Sequence, residues 1–172
     1  MKKTAFVLMI ITICSKLLGF GRELALSYVY GASAITDAYL ISQTIPTVIF
    51  ALISSGIATG FVPMYSRIFQ EQGKLGANKY TYNLSNALLL FASIVVAFVL
   101  LFTQPIVKLF ASGFTGETLA LTVRFTRISV FGVYITALLG IFASYLRLNS
   151  NYILPALVGL PRNLLIIVFL FI

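Results

Sequence analysis

Residues 5–28 read AFVLMIITICSKLLGFGRELALSY, an apolar run with Lys16, Arg22 and Glu23 set inside it. Crossing the hydrocarbon of a bilayer takes about 20 such residues, and this run is long enough. Lys2 and Lys3 precede it, so a secretory signal has to be weighed. The uncharged stretch Ala5–Cys14 has signal length, and Ala25-Leu26-Ser27 is a passable cleavage site. Three charges lie between the two, where a signal stays uncharged. Cys14 also lacks the small residue that precedes the cysteine of a lipoprotein signal. The run is expected to be a retained first membrane helix.

The rest of the chain repeats this chemistry. Of 172 residues, 60% are apolar and 9% are charged, against roughly 45–50% and about 25% in a soluble domain. That excludes a soluble globular domain, a disordered chain, a coiled coil and a disulfide scaffold. Barrel strands would alternate over about ten residues, and these runs are continuous. The expectation is an all-α polytopic membrane protein, one membrane domain over 1–172, with helices near 5–28, 36–68, 80–102, 117–148 and 152–172. Thr36 and Asp37 read as a capped helix start, and Pro46 as a kink. Residues 69–79 read as a polar loop, 106–114 as a short amphipathic interfacial segment, and Asn149-Ser150-Asn151 as a turn. The chain ends in an apolar run, which reads as an N-terminal fragment.

Several chemistries are excluded. There is no histidine, so triads and histidine metal sites are absent, and the four acids (Glu23, Asp37, Glu71, Glu117) are scattered. No catalytic residue, metal or cofactor is expected, and Cys14 reads as buried packing. The net charge of +8 divides by position. Lys2, Lys3, Arg67, Lys74, Lys79 and Arg147 fall on one side of the membrane and Lys108 on the other, which puts the N-terminus in the cytoplasm. Lys16, Arg22, Arg124, Arg127 and Arg162 fall inside apolar segments. No nucleic-acid surface results.

A charge at mid-span costs about 2.5–3.5 kcal/mol, so the intramembrane set is where function is sought. Lys16 lies too deep to snorkel, and Arg22 and Glu23, as sequence neighbours, diverge by about 100° and make a poor pair. A water-filled cavity facing an anionic substrate explains them better. Gly19 and Gly21 would let another backbone approach. Ser42, Gln43, Thr44, Thr47, Ser54 and Ser55 add polarity, and Gly56-x-x-x-Gly60 reads as a packing stripe. Arg124 and Arg127 share a face, and Pro155, Pro161, Arg162 and Asn163 interrupt the last run.

Ser15-Lys16-Leu17-Leu18-Gly19-Phe20-Gly21-Arg22-Glu23 resembles the first-helix motif of the MurJ/MviN lipid II flippases, Ser-Arg-x-x-Gly-Phe-x-Arg-Asp/Glu. Tyr30-Gly31-Ala32 with Thr36-Asp37-Ala38-Tyr39, Ile45-Pro46, Gly60-Phe61-Val62-Pro63, Phe110–Phe114, and Pro155-Ala156 with Asn163 follow in family order. The resemblance implies most of the N-lobe of a two-lobe transporter of the multidrug/oligosaccharidyl-lipid/polysaccharide exporter superfamily. Lipid II would be its substrate, membrane lipids its surroundings and the C-lobe of the same protein its partner. It further implies Lys16, Arg22, Glu23 and Asp37 as substrate-binding residues, with Arg162 and Asn163 secondary. Lys16 replaces a family arginine, and Phe50-Ala51 stands where the family has an arginine pair. The alternative is another exporter of that superfamily, carrying a lipid-linked polysaccharide unit or a drug.

Overall fold

The computed structural model describes residues 2–171. The side chains of Lys2, Leu52, Ile53, Ser54 and Ala58 lie outside the described residues, and so does Ile172. The topological reading of Lys2, the polar reading of Ser54 and the end of the last predicted segment fall there. Among the described residues every regular element is an α-helix: α1 Lys2–Tyr30, α2 Ala34–Leu101, α3 Thr103–Phe110, α4 Gly116–Ser129, α5 Gly132–Leu148, α6 Ile153–Leu157 and α7 Gly159–Leu170. Lys3–Tyr30, Ala34–Leu101 and Ile153–Leu170 are long and apolar enough to cross a membrane, and the α4–α5 pair, bent by 42°, is a fourth candidate. The protein is an all-α polytopic membrane protein. Large apolar side chains such as Leu17, Leu101 and Phe169 stand exposed, as lipid-facing residues do.

Two compact units divide the chain, one reaching to Thr36 and resuming at Leu146, the other Asp37–Tyr145. In the first, α1 stops at Gly31, whose φ of 59° suits glycine and whose N–H donates to the Ser27 carbonyl at 2.9 Å. The expected cap at Thr36 moves to Ser33. The Ser33 hydroxyl oxygen accepts the Thr36 N–H at 3.4 Å, while Thr36 Oγ1 donates back to the Gly31 carbonyl at 2.9 Å. Asp37 keeps its place in the first turn of α2. The last predicted segment is two pieces, α6 and α7, separated at Val158.

In the second unit, the two predicted helices at 36–68 and 80–102 form one 68-residue element, broken only at Gly73 (φ 68°, ψ −168°). The expected loop 69–79 is helical on both sides of that residue. Gln70, Glu71, Gln72 and Lys74 are good helix formers, so polarity alone does not unwind them. Arg67 Nε also donates to Glu71 Oε1 at 2.8 Å, one turn on. Gly73 reverses the chain. Phe61 on the first limb stacks on Tyr80 of the second at 5.9 Å, and one cleft is lined by Gly56 and Gly60 from the first limb and Leu84 and Leu88 from the second. The second limb then packs against α4 and α5. Ala92, Val96 and Val99 enclose Val130 and Val133, all nearly inaccessible. Tyr145 Oη donates to Asn78 Oδ1 at 3.1 Å and Tyr134 Oη meets Ser93 Oγ at 3.0 Å, so α5 runs antiparallel to that limb.

The predicted 117–148 helix is α4 and α5, separated at Val130 and Phe131. The amphipathic segment is α3, shifted to Thr103–Phe110. Pro46 and Pro63 both lie within helical backbone, and Gly73 is the one non-helical residue inside α2. Proline at 46 nevertheless has a consequence. It has no N–H to offer the carbonyl of residue 42, four positions back. Ser42 is buried, so that carbonyl needs another donor. Ser129 Oγ supplies it at 2.7 Å from the end of α4.

Ser129→Ala is therefore expected to destabilise the protein by about 1–3 kcal/mol. In a Pro46→Ala background the returned backbone N–H should shrink that loss to about 0.5 kcal/mol. Unfolding in detergent measures both, and equal losses in the two backgrounds would refute the pairing. Gly73 occupies a region open essentially to glycine alone, so Gly73→Ala should cost about 1–3 kcal/mol, read as a lowered melting temperature.

Candidate substrate-contacting site

α1 has two faces. Ile11, Ser15, Gly19, Arg22 and Leu26, spaced four, four, three and four apart, are buried or half-buried. α7 packs on this side. A Cβ at Gly19 would stand 3.6 Å from Asn163 Nδ2, one at Gly21 3.9 Å from Ile167, and one at Gly159 only 2.6 Å from Ser15 Oγ. The contacts advance together along both helices, so α1 and α7 are parallel. Asn163, 7% exposed, donates from Nδ2 to the Ser15 carbonyl at 3.3 Å. Asn163 thus holds two helices together, and Arg162 beside it is exposed.

Lys16, Phe20 and Glu23 share the other face and are exposed. Lys16 has no ion-pair partner among the described residues. Arg22 sits at the border and its Nη2 pairs with Glu23 Oε1. That corrects the expectation of a poor neighbour pair. The two Cα–Cβ bonds do diverge, but the long arginine stem folds back along the helix and brings its fork to the carboxylate. The result is a partly shielded guanidinium beside an acid that keeps about half its surface, 47%, exposed.

Asp37 is exposed at the head of α2, in the other unit, where the helix dipole favours an acid. Arg124 and Arg127 are exposed on α4. Phe50, at the place of the family's arginine pair, makes an apolar contact: its Cζ lies 3.7 Å from where a Gly140 Cβ would stand. Among the described residues Gly56 and Gly60 meet no neighbour within 4 Å, and they line the cleft of about 420 Å³ between the limbs rather than a close helix contact, against the packing-stripe reading. Cys14 is exposed rather than buried, because it lies off the stripe that α7 covers. Among the described residues no cluster of metal-ligating side chains occurs. Gly159 and Ser129 were not read from sequence. The signal for Gly159 was present in its spacing, four before Asn163 on one helical face.

These features define a multi-pass membrane protein with cations exposed on an apolar helix. The sequence model of the family described as Lipid II flippase MurJ matches residues 26–172, and the chain belongs to that family, one of transporters rather than enzymes. It is 28% identical over 171 residues to the "Probable lipid II flippase MurJ" of Buchnera aphidicola subsp. Baizongia pistaciae, covering 98% of this chain and 33% of that protein. It is 31% identical over 163 residues to the lipid II flippase MurJ of Thermosipho africanus, covering 92% and 33%. With the lipid II flippase MurJ of Burkholderia cenocepacia the figures are 27% over 156 residues, 88% and 30%. The chain spans about a third of the length of these relatives. No solved structure matches it.

Gly159→Ala should destabilise the α1–α7 contact by about 1–3 kcal/mol through overpacking against Ser15. Adding Ser15→Ala should restore most of the loss. Thermal unfolding of the single and double variants checks this, and absence of rescue would place the strain elsewhere.

Proposed function

We propose that this chain forms most of the N-lobe of a flippase that moves lipid II across the bacterial cytoplasmic membrane by alternating access. The reading includes a cytoplasmic N-terminus and five crossings. Three alternating passes within Asp37–Tyr145 and the parallel pair α1 and α7 support that count. In this reading Lys16 and Arg22 face the diphosphate of the lipid headgroup and offset the cost of drawing it through a low-dielectric space. Glu23 orients Arg22, and Asp37 is the acid at the head of the second crossing. Arg162 contributes secondary charge, while Asn163 acts through the position of α1. The C-lobe of the same protein supplies the opposing wall, and the polyprenyl tail stays in lipid.

The observation that carries the proposal is Lys16, exposed on a 29-residue apolar helix of a chain in this family. A lysine there is a costly feature unless an anion or water meets it. Lys16 also keeps charge without the bidentate fork of the family arginine, which favours a point contact with phosphate. The double variant Lys16→Ala/Arg22→Ala, placed in the full-length protein, should fail to support growth of a flippase-depleted bacterium while reaching the membrane in normal amount. Growth at the wild-type rate would end the cavity-cation reading. Lys16→Arg should retain activity.

A further inference from the structure

The second limb of α2 and α5 bound a groove of about 480 Å³ that the transport reading does not use. Its lining changes character along its length. Asn78, Tyr82 and Asn86 stand one turn apart on the limb, all exposed, and Leu89 ends the row. Facing them, Tyr145 at the same end gives way to Phe142 and Leu138. The Tyr145–Asn78 hydrogen bond fixes which end is which. Thr81 and Ser85 form the floor. Their hydroxyls donate to the carbonyls of Ala77 and Thr81 at 2.9 and 2.8 Å, so they ask nothing of a ligand.

Two cations of the same limb lie near the polar end, outside the lining itself. Lys74 is one turn before Asn78 on the same face, and Lys79 precedes Tyr82 and Asn86 by three and seven residues; both lysines are exposed. From that end inward come Lys74, then Asn78 with Lys79 one residue on, then the Tyr82 phenol and the Asn86 carboxamide, then aliphatic and aromatic hydrocarbon. An anionic phospholipid presents the same order: phosphodiester, ester carbonyls, acyl chain.

We infer that this groove seats one anionic phospholipid from the leaflet at its basic end. Its phosphate lies between Lys74 and Lys79, its ester region on Asn78, Tyr82 and Asn86, and an acyl chain runs along Leu89, Leu138 and Phe142. Neutral polar groups at mid-groove suit the esters, which carry no charge but accept hydrogen bonds. The assignment is independent of the cations on α1 and of the transported substrate.

The test is native mass spectrometry of the purified full chain, titrated separately with phosphatidylglycerol and phosphatidylcholine. Phosphatidylglycerol should be retained in preference. Lys74→Gln/Lys79→Gln should erode that preference by about fivefold per lysine, and Lys74→Arg/Lys79→Arg should keep it. Asn86→Trp, which fills the groove with the charges untouched, should weaken retention of both lipids. An unchanged preference in the glutamine pair, or unchanged retention in the tryptophan variant, would overturn the assignment. Displacement of bound phosphatidylglycerol by a polyprenyl diphosphate would overturn it as well, by giving the groove to the transported lipid.

Discussion

A peptide carbonyl inside hydrocarbon has no water to turn to, and the packing of this chain depends on how one such group is satisfied. Pro46 frees the carbonyl of Ser42, and Ser129 answers it from α4. That bond fixes the height of α4 against the first limb of α2. Gly140, eleven residues on, then reaches the level of Phe50 and Ile57. It also falls at the start of the break between α4 and α5, so two interruptions of regular helix are met by one hydroxyl. Most other hydroxyls are spent on their own helix. Thr44, Thr47, Thr81 and Ser85 each donate four residues back. Among the described residues, Ser129, Tyr134, Tyr145 and Asn163 reach from one element to another and set the registers.

Charge obeys the same scarcity. α7 occupies one side of α1, and its contacts there are made by small groups, Ser15, Gly19 and Gly21, with Asn163 as the polar tie. The charged residues are left on the border or the opposite side. Arg22 and Glu23 satisfy part of each other, which lowers the cost of carrying either at depth. Lys16 has no ion-pair partner among the described residues. A single helix thus separates a face built for close approach from a face built for electrostatics, and the glycines of the first make the second affordable in space.

The all-helical membrane character was legible because composition and run length depend on no tertiary detail. The charged face of α1 was legible for the same reason, since charge inside an apolar run stands out residue by residue. Helix limits were harder. The stretch 69–79 looked like a loop by polarity, yet its residues favour helix and the reversal needed one glycine only. The bend at Val130 and Phe131 carries no proline, and Val130 is buried there against Ala92 and Val96, a contact that sequence does not display. Arg22 and Glu23 were judged by backbone direction, while the outcome turned on side-chain length. Gly56 and Gly60 fit a packing motif by spacing, but spacing says nothing of whether a neighbour arrives. The role of Ser129 was invisible because its partner lies 87 residues away.

At 1.5 Å per residue, α2 laid out as one rod would measure about 100 Å, several times the thickness of a bilayer. Gly73 is what makes the element compatible with a membrane at all. It also carries information of a different kind from stability. Each reversal of direction changes the parity of passes, so within Asp37–Tyr145 the direction of the second limb, and of α5 after it, hangs on one dihedral pair at a residue without a side chain. Arg67 before this point and Lys74 and Lys79 after it are thereby gathered at the same end of the two limbs, so a backbone conformation that only glycine adopts freely decides where three positive charges meet.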